Sequence, residues 1–143
     1  MALVLFDTNI LIDALNGIPE APQELGHYTN PAISSVTWMK LIAGTPPSEQ
    51  PGTRAFLVSG GFEVIQTDEA IMHEAAAIRG ASMRSLPKIP LLDAIIRATG
   101  NITRRLIITR NKKDFLGPNI RIPDELETQT IVHVINVIPP PAQ

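Results

Sequence analysis

Short apolar runs alternate with amphipathic segments along the chain, and this order predicts an α/β fold. Residues 2–6 form a continuous apolar run, which is typical of a strand covered on both faces of a sheet. Further strands are predicted at residues 32–33, 62–65, 105–110 and 130–137. Strands that are separated by helices predict a mostly parallel sheet.

Helices are predicted where apolar residues recur at intervals of three and four. Ser34 or Ser35 is expected to cap the second helix, and Asp68 to cap the fourth. Pro90 is expected in the first turn of the fifth helix. The predicted helices span residues 9–15, 36–43, 53–59, 68–85 and 90–99.

The chain of 143 residues predicts a single domain over residues 1–138, followed by a Pro-rich flexible tail over residues 139–143. A hydrophobic share of 44% is enough to form one core. Residues 18–31 and 45–52 are rich in proline, glycine and polar side chains, so both are predicted to be irregular links.

Composition excludes several kinds of site. The chain has no cysteine, which rules out a disulfide framework, a thiolate zinc site and a cysteine nucleophile. His27, His73 and His133 are scattered and lack the spacing of metal ligands. The N-terminus lacks the features of a signal peptide, and no apolar stretch approaches the ~20 residues that span a bilayer. We therefore expect a soluble cytoplasmic protein with no membrane partner.

The charged residues add one local feature, a cluster of basic side chains, to a chain that is slightly acidic as a whole. A net charge of −2 and a pI near 5.9 argue against a protein whose whole surface binds nucleic acid. Five basic residues nevertheless fall within ten positions, and taken alone they are most simply interpreted as a solvated rim around a strand. They are Arg104, Arg105, Arg110, Lys112 and Lys113.

Three aspartates lie where predicted strands end or inside an apolar helix. Asp7 follows the first strand, Asp114 follows the strand at residues 105–110, and Asp93 lies in an apolar helical segment. Ligands of open parallel sheets bind beyond the carboxyl ends of the strands. Three carboxylates gathered there repel one another and need a cation, for which oxygen ligands favour Mg²⁺ or Mn²⁺. Such an ion can activate a water for attack on phosphate.

Each aspartate also has a simpler interpretation. Asp7 is a good N-cap for the helix that follows it. Asp93 has Arg97 four positions later and can form an ion pair along the helix. Asp114 can be an ordinary loop charge. The sequence pattern alone leaves these alternatives open.

Four segments together resemble the PIN domains of VapC-type toxins, which are the nucleases of bacterial type II toxin–antitoxin modules. The segments are "VLFDTNILIDAL", "ISSVTWMKLIAG", "PLLDAIIRATG" and "LIITRNKKDF", and they follow the order of the family over residues 2–115. The resemblance implies a three-layer α/β/α sandwich and a homodimer. It also implies Mg²⁺- or Mn²⁺-dependent cleavage of RNA and inhibition by a cognate VapB-type antitoxin.

The resemblance also assigns roles to individual residues. Asp7, Asp93 and Asp114 correspond to the first, third and fourth acidic metal ligands of the family. Within this interpretation the basic residues at 104–113 become contacts for RNA phosphates. Polar residues that would orient carboxylates or waters are Thr8, Asn9, Thr109 and Asn111.

One position departs from the family pattern, because Lys40 stands where the second acidic residue, usually Glu, is expected. Four carboxylates carry a charge of −4, whereas three carboxylates and one ammonium carry −2, so the substitution adds the charge of one Mg²⁺. We hypothesise that Lys40 competes with the metal, keeps the fold and weakens or abolishes nuclease activity. The simpler interpretation is a helix lysine that reaches solvent along its aliphatic stem.

Three other functions compete with the nuclease. A haloacid-dehalogenase phosphatase also begins with an aspartate after a strand, but Asn9 stands where its second aspartate is required. A phospho-receiver domain places its lysine after the last strands, and Lys40 comes too early. A catalytically inactive PIN fold that binds antitoxin or RNA without cutting remains open, and metal-dependent RNA cleavage separates it from the enzyme.

Overall fold

The computed structural model describes residues 3–128 and 132–142. Within this part of the chain five short parallel strands form one sheet, in the order β3-β2-β1-β4-β5. The strands are β1 (Val4–Phe6), β2 (Pro31–Ser34), β3 (Glu63–Ile65), β4 (Leu106–Ile108) and β5 (Ile120–Arg121). The predicted parallel sheet is therefore confirmed, with β1 at its centre.

Helices pack on both faces of this sheet, so the predicted three-layer α/β/α sandwich is confirmed. The two faces separate along β1, because Val4 and Phe6 point into one core and Leu5 into the other. The described helices are α1 (Thr8–Leu15), α2 (Glu20–Gly26), α3 (Ser35–Ala43), α4 (Gln50–Ser59), α5 (Glu69–Ser85) and α6 (Leu91–Thr103). None of them is long and apolar enough to cross a membrane.

The predicted caps are found where the pattern placed them. Ser34 Oγ accepts a hydrogen bond of 3.2 Å from the backbone N–H of Val36, which settles the choice between the two serines. Asp68 accepts one of 2.9 Å from the N–H of Ile71. These side chains satisfy backbone donors that the first turn of a helix leaves free.

The irregular link predicted over residues 18–31 is wrong, because this stretch contains α2. Pro22 lies in the first turn of α2, where its missing N–H costs no helical hydrogen bond. The helix buries Glu24 rather than a large apolar side chain, so its sequence shows no clear apolar periodicity. Residues 45–52 are also more regular than predicted, since a short 3₁₀ turn at Pro47–Glu49 leads into α4.

Helix α6 runs through Gly100, although the prediction ended it at residue 99. Gly100 faces β4, and a Cβ atom placed there would lie 2.4 Å from Cγ1 of Ile107. The glycine therefore permits close packing of helix on strand, and the helix ends instead at Arg104, whose φ of 56° is left-handed.

The C-terminal part adds a separate two-stranded antiparallel sheet, formed by β6 (Glu125–Thr128) and β7 (Val132–Ile135). The predicted last strand thus exists in its described part but lies outside the main sheet. Further on, the backbone carbonyl of Pro141 contacts the ring of His27. The domain boundary and the flexibility of the tail stay predictions, and the predictions at residue 2, residues 130–131 and residue 143 lie outside the described residues.

Candidate active site

Asp7 and Thr109 follow two neighbouring strands and meet at the carboxyl edge of the sheet. Phe6 pairs with Ile108 in the parallel ladder, and the N–H of Asp7 donates 2.9 Å to the carbonyl of Ile108. Thr109 Oγ1 donates a buried hydrogen bond of 2.8 Å to Oδ2 of Asp7. The other carboxylate oxygen accepts 2.7 Å from the N–H of Thr8, so Asp7 caps α1 and faces the site at once.

Asn111 connects the other two aspartates to this pair. Its side-chain Nδ2 donates 3.0 Å to Oδ2 of Asp114 and makes a longer contact of 3.5 Å with Oδ2 of Asp93. Its backbone N–H donates 2.9 Å to Thr109 Oγ1, which itself donates to Asp7. One hydrogen-bonded network therefore contains all three aspartates that the sequence singled out.

The remaining polar residues predicted for the site also lie in this network or beside it. Asn9 Nδ2 donates 3.3 Å to Thr109 Oγ1, and its Oδ1 accepts 3.4 Å from the N–H of Arg110. Thr8 Oγ1 donates 3.0 Å to Oγ1 of Thr37 in a fully buried contact. Thr37 was missed by sequence reasoning, although its position one turn before Lys40 was a usable signal.

The ion pair considered for Asp93 and Arg97 is not observed in the described part of the chain. Arg97 instead donates to two backbone carbonyls, at 3.5 Å to Asp114 and 3.4 Å to Leu116. Its guanidinium thus braces the turn that carries Asp114, and Asp93 is left without this cation. The negative charge of Asp93 is accordingly compensated less than the sequence spacing allowed.

Electrostatics mark the carboxylates as a crowded group. Burial raises the pKa of Asp7, with a smaller contribution from the charge of Asp114, while hydrogen bonds from Thr109 and Thr8 oppose the shift. Burial also raises the pKa of Asp93 to about 6, assisted by the charge of Asp7 and by Asp114. Burial is thus the main cause of both pKa shifts, and the charges of the neighbouring aspartates add to it.

Lys40 is the cation that lies against this group. Its ammonium lowers the pKa of both Asp7 and Asp93, in opposition to burial. It projects from the last turn of α3 and also borders a cleft of about 530 Å³ between α1 and α4. Lys40 therefore acts electrostatically on two of the three predicted metal ligands.

The donor chemistry of the group fits Mg²⁺, but its arrangement is incomplete. Carboxylate oxygens and the amide of Asn111 are ligands that Mg²⁺ accepts. Over residues 3–128 and 132–142, however, no three acidic, histidine or cysteine side chains are grouped closely enough to hold a metal ion. Asp93 and Asp114 lie close enough for a hydrogen bond between their carboxyl groups, and Asp7 is connected to them through Thr109 and Asn111.

Two of the five basic residues that were predicted to contact RNA are committed to other partners. Arg105 pairs with Glu63 at 2.7 Å and donates 3.2 Å to the carbonyl of Val4. Arg110 is 6% exposed and pairs with Asp13 and Asp124. Both arginines therefore hold the protein together, and their predicted contact with RNA phosphate would require these ion pairs to open.

The other three basic residues are exposed. Lys112 pairs with Glu125 while keeping 59% of its side chain exposed. Arg104 and Lys113 are exposed on the surface. Lys112 and Lys113 follow β4 on the side of the acidic network, whereas Arg104, like Arg105, precedes β4 at the opposite edge of the sheet. Only the two lysines therefore combine exposure with a place beside the candidate site.

Comparisons with known proteins were made at three levels. No protein-family model matches the chain, and no curated protein sequence matches it. Among solved structures, the chain is similar to a chain of a toxin–antitoxin complex from Klebsiella pneumoniae, with 38% identity and a TM-score of 0.74. That alignment covers 85% of this chain and 98% of the other.

Two further structures are similar over most of their length. One is the DNA-bound VapBC of Salmonella typhimurium, with 28% identity, a TM-score of 0.67 and coverage of 85% of this chain and 96% of that chain. The other is VapBC2 from Rickettsia felis bound to a promoter DNA fragment, with 19% identity, a TM-score of 0.66 and coverage of 82% and 95%. At 19% identity, the similarity to the Rickettsia felis structure is evidence for the fold alone.

Proposed function

The chain belongs to the family of VapC-type PIN-domain toxins, and on this premise we propose that it is a metal-dependent ribonuclease weakened by Lys40. The observation that carries the proposal is the network that joins Asp7, Asp93 and Asp114 at the carboxyl edge of the sheet. The pKa of Asp93, which is raised mainly by burial and further by the charge of Asp7, supports it, because such perturbed carboxyl groups are typical of functional sites.

In the proposed reaction Mg²⁺ or Mn²⁺ would be held by Asp7, Asp93 and Asp114, and would supply a Lewis acid that activates water. Neighbouring side chains of the protein position these carboxylates through hydrogen bonds. Thr109 fixes the carboxylate plane of Asp7, and Asn111 fixes the carboxylate of Asp114. Because these side chains extend from a buried sheet edge, the acidic groups are placed before any ligand arrives.

Lys40 supports a weakened form of this activity. Its ammonium compensates part of the carboxylate charge, and an ammonium does not polarise water as a Lewis acid does. The same compensation of charge by Lys40 favours a second candidate function, a PIN fold that binds antitoxin or RNA without cutting.

The proposal includes a VapB-type antitoxin, a homodimer and a cytoplasmic location. Support for the antitoxin comes from the similar chains, which occur in toxin–antitoxin and VapBC complexes. Support for a dimer comes from exposed apolar side chains on α3, where Trp38 and Met39 are 37% and 49% exposed. Light scattering of the isolated chain tests the dimer.

The proposal is tested by RNA cleavage with Mg²⁺ and with Mn²⁺, comparing the native chain with Lys40→Glu. Lys88→Glu is a matched control, because it makes the same charge change on an exposed lysine outside the acidic network. Cleavage by Lys40→Glu alone, abolished by EDTA, supports an intact site that Lys40 weakens. Equal EDTA-sensitive cleavage by the native chain would show that three carboxylates suffice. Absence of cleavage by every variant, together with RNA or antitoxin binding, would favour the second candidate.

A further inference from the structure

A cleft of about 600 Å³ adjoins the acidic network on the side of the small antiparallel sheet. Asn9 and Asn111 line it, and both belong to the network around Asp7. Its other lining residues are Lys112, Lys113, Arg110, Glu125, Leu126 and Asp13, whose carboxylate pairs with Arg110. The cleft thus lies between the proposed reaction centre and exposed positive charge.

One of the lysines in this cleft already forms an ion pair with an acidic residue that also lines the cleft. Lys112 pairs with the carboxylate of Glu125, whose other oxygen accepts 2.6 Å from Asn136 Nδ2. The Glu125 side chain is 22% exposed although it stands at the mouth of the cleft. A carboxylate presents two acceptor oxygens and one negative charge, which is also what a phosphodiester presents to a lysine.

Lys113 and one nitrogen of Arg110 are further donors around the cleft, although Arg110 itself pairs with Asp13 and Asp124. Lys113 forms no ion pair with any residue in the described ranges. Arg110 is nine-tenths buried and lines the cleft, and its Nη2 has no hydrogen-bond partner among the described residues. An anion that displaced Glu125 would therefore meet Lys112 released and Lys113 already free.

We propose that this cleft binds a phosphodiester group of single-stranded RNA, and that Glu125 occupies the place of that phosphate in the free protein. The inference rests on the proposed function, because RNA is taken as the ligand. Binding exchanges the Lys112–Glu125 ion pair for a pair between Lys112 and phosphate. The bound phosphate is a neighbour of the one that faces the aspartates, because Asn111 borders both places.

The test measures binding of fluorescently labelled single-stranded RNA of about 12 nucleotides by anisotropy, at low salt with EDTA so that the RNA stays intact. Glu125→Gln keeps the shape of the side chain and removes its charge. We expect about fivefold tighter binding, the size of one surface ion pair. Glu69→Gln removes the same charge from an exposed site on α5 and should change the affinity much less.

A double-mutant cycle separates displacement of Glu125 from a general charge effect. In the Lys112→Gln background, Glu125→Gln should bring no further gain, because the released lysine is absent. Lys113→Gln in the otherwise native chain should weaken RNA binding without touching the ion pair. The inference is overturned if Glu125→Gln binds no more tightly than Glu69→Gln, or if its gain persists without Lys112.

A second readout keeps this inference distinguishable from the proposed function. Pyrophosphate is titrated into the isotopically labelled protein while the backbone amides of Asn111, Lys112 and Lys113 are followed by NMR. Shifts at these amides that strengthen in Glu125→Gln, together with RNA binding, support the cleft as a phosphate site. Shifts without RNA binding by any variant overturn RNA as the ligand and the ribonuclease proposal with it. Absence of shifts overturns the cleft even if the protein cleaves RNA.

Discussion

Thr109 donates a 2.8 Å hydrogen bond to the carboxylate of Asp7 from the neighbouring strand of the sheet. The same hydroxyl oxygen accepts from the backbone N–H of Asn111 at 2.9 Å and from the side chain of Asn9 at 3.3 Å. One threonine thus joins the residue after β1 to the loop that carries the last aspartate. The arrangement of the candidate site depends on this hydroxyl.

Replacing Thr109 with valine should therefore disturb both the site and the fold. Valine keeps the shape but leaves buried partners unpaired, which we expect to lower the free energy of unfolding by about 2 kcal/mol. Loss of the hydrogen bond should also raise the pKa of Asp7 further. Urea unfolding and carboxyl ¹³C NMR measure the two effects. Thr109→Ser, which retains the hydroxyl, should behave much more like the native chain, and equal effects of both substitutions would contradict the prediction.

The raised pKa of Asp93 predicts a pH-dependent effect on stability. Its value of about 6 exceeds that of an unfolded aspartate, so the folded protein binds the proton more tightly. The stability from this group is present below about pH 4 and is lost as the pH rises through about 6. Asp93→Asn should therefore stabilise the protein at about pH 8 by about 1 kcal/mol, since solvent screens this half-buried group.

At about pH 3 the same substitution should change little, because Asp93 is then largely protonated in both states. Thermal unfolding of Asp93→Asn and the native chain across this range tests the expectation. Glu69→Gln serves as a control for removing one exposed carboxylate. A stability difference that does not vary with pH would contradict the raised pKa.

Gly100→Ala should destabilise the protein by about 1–3 kcal/mol, because the added methyl group collides with Ile107 across the interface of α6 and β4. Gly52→Ala is a matched control, since a Cβ atom there meets nothing within 4 Å. The control should be neutral or slightly stabilising. Ile107→Val should recover part of the loss in the double variant, and absence of any recovery would place the cause elsewhere.

Arg110→Met should destabilise the fold by about 3–5 kcal/mol, because it leaves the buried carboxylates of Asp13 and Asp124 without their cation. Lys112→Met, two positions later, should cost less than about 1 kcal/mol, since its ion pair is largely exposed. Denaturant unfolding of the two variants gives the comparison. Equal costs would indicate that Arg110 does not have the structural role assigned to it.

Sequence reasoning predicted the fold where apolar pattern and caps agreed. Asp68 and Ser34 cap the helices that they were expected to cap, and the apolar run at β1 is the centre of the sheet. Sequence reasoning failed to predict α2, because this helix buries the charged residue Glu24. The carboxylate of Glu24 accepts a hydrogen bond of 2.8 Å from Arg121. A partner 97 positions away cannot be read from local periodicity.

The candidate site was predictable in its membership but not in its pairing. The resemblance of four ordered segments chose Asp7, Asp93 and Asp114, and the rule that strand ends of a parallel sheet meet at one edge supported Asp7 and Asp114. Neither argument could show that Arg110 pairs with Asp13 and Asp124. Those two carboxylates come from opposite ends of the chain, and no local pattern relates them to Arg110.

The contact between Asp7 and Thr109 also has a consequence for how the protein is made. The two residues are 102 positions apart, so a chain leaving the ribosome has Asp7 exposed long before its partner is synthesised. The central strand β1 pairs with β2 and β4, so its hydrogen bonds to β4 also form only after residue 108 has been synthesised. The acidic network therefore assembles only after the chain has been synthesised past Asp114.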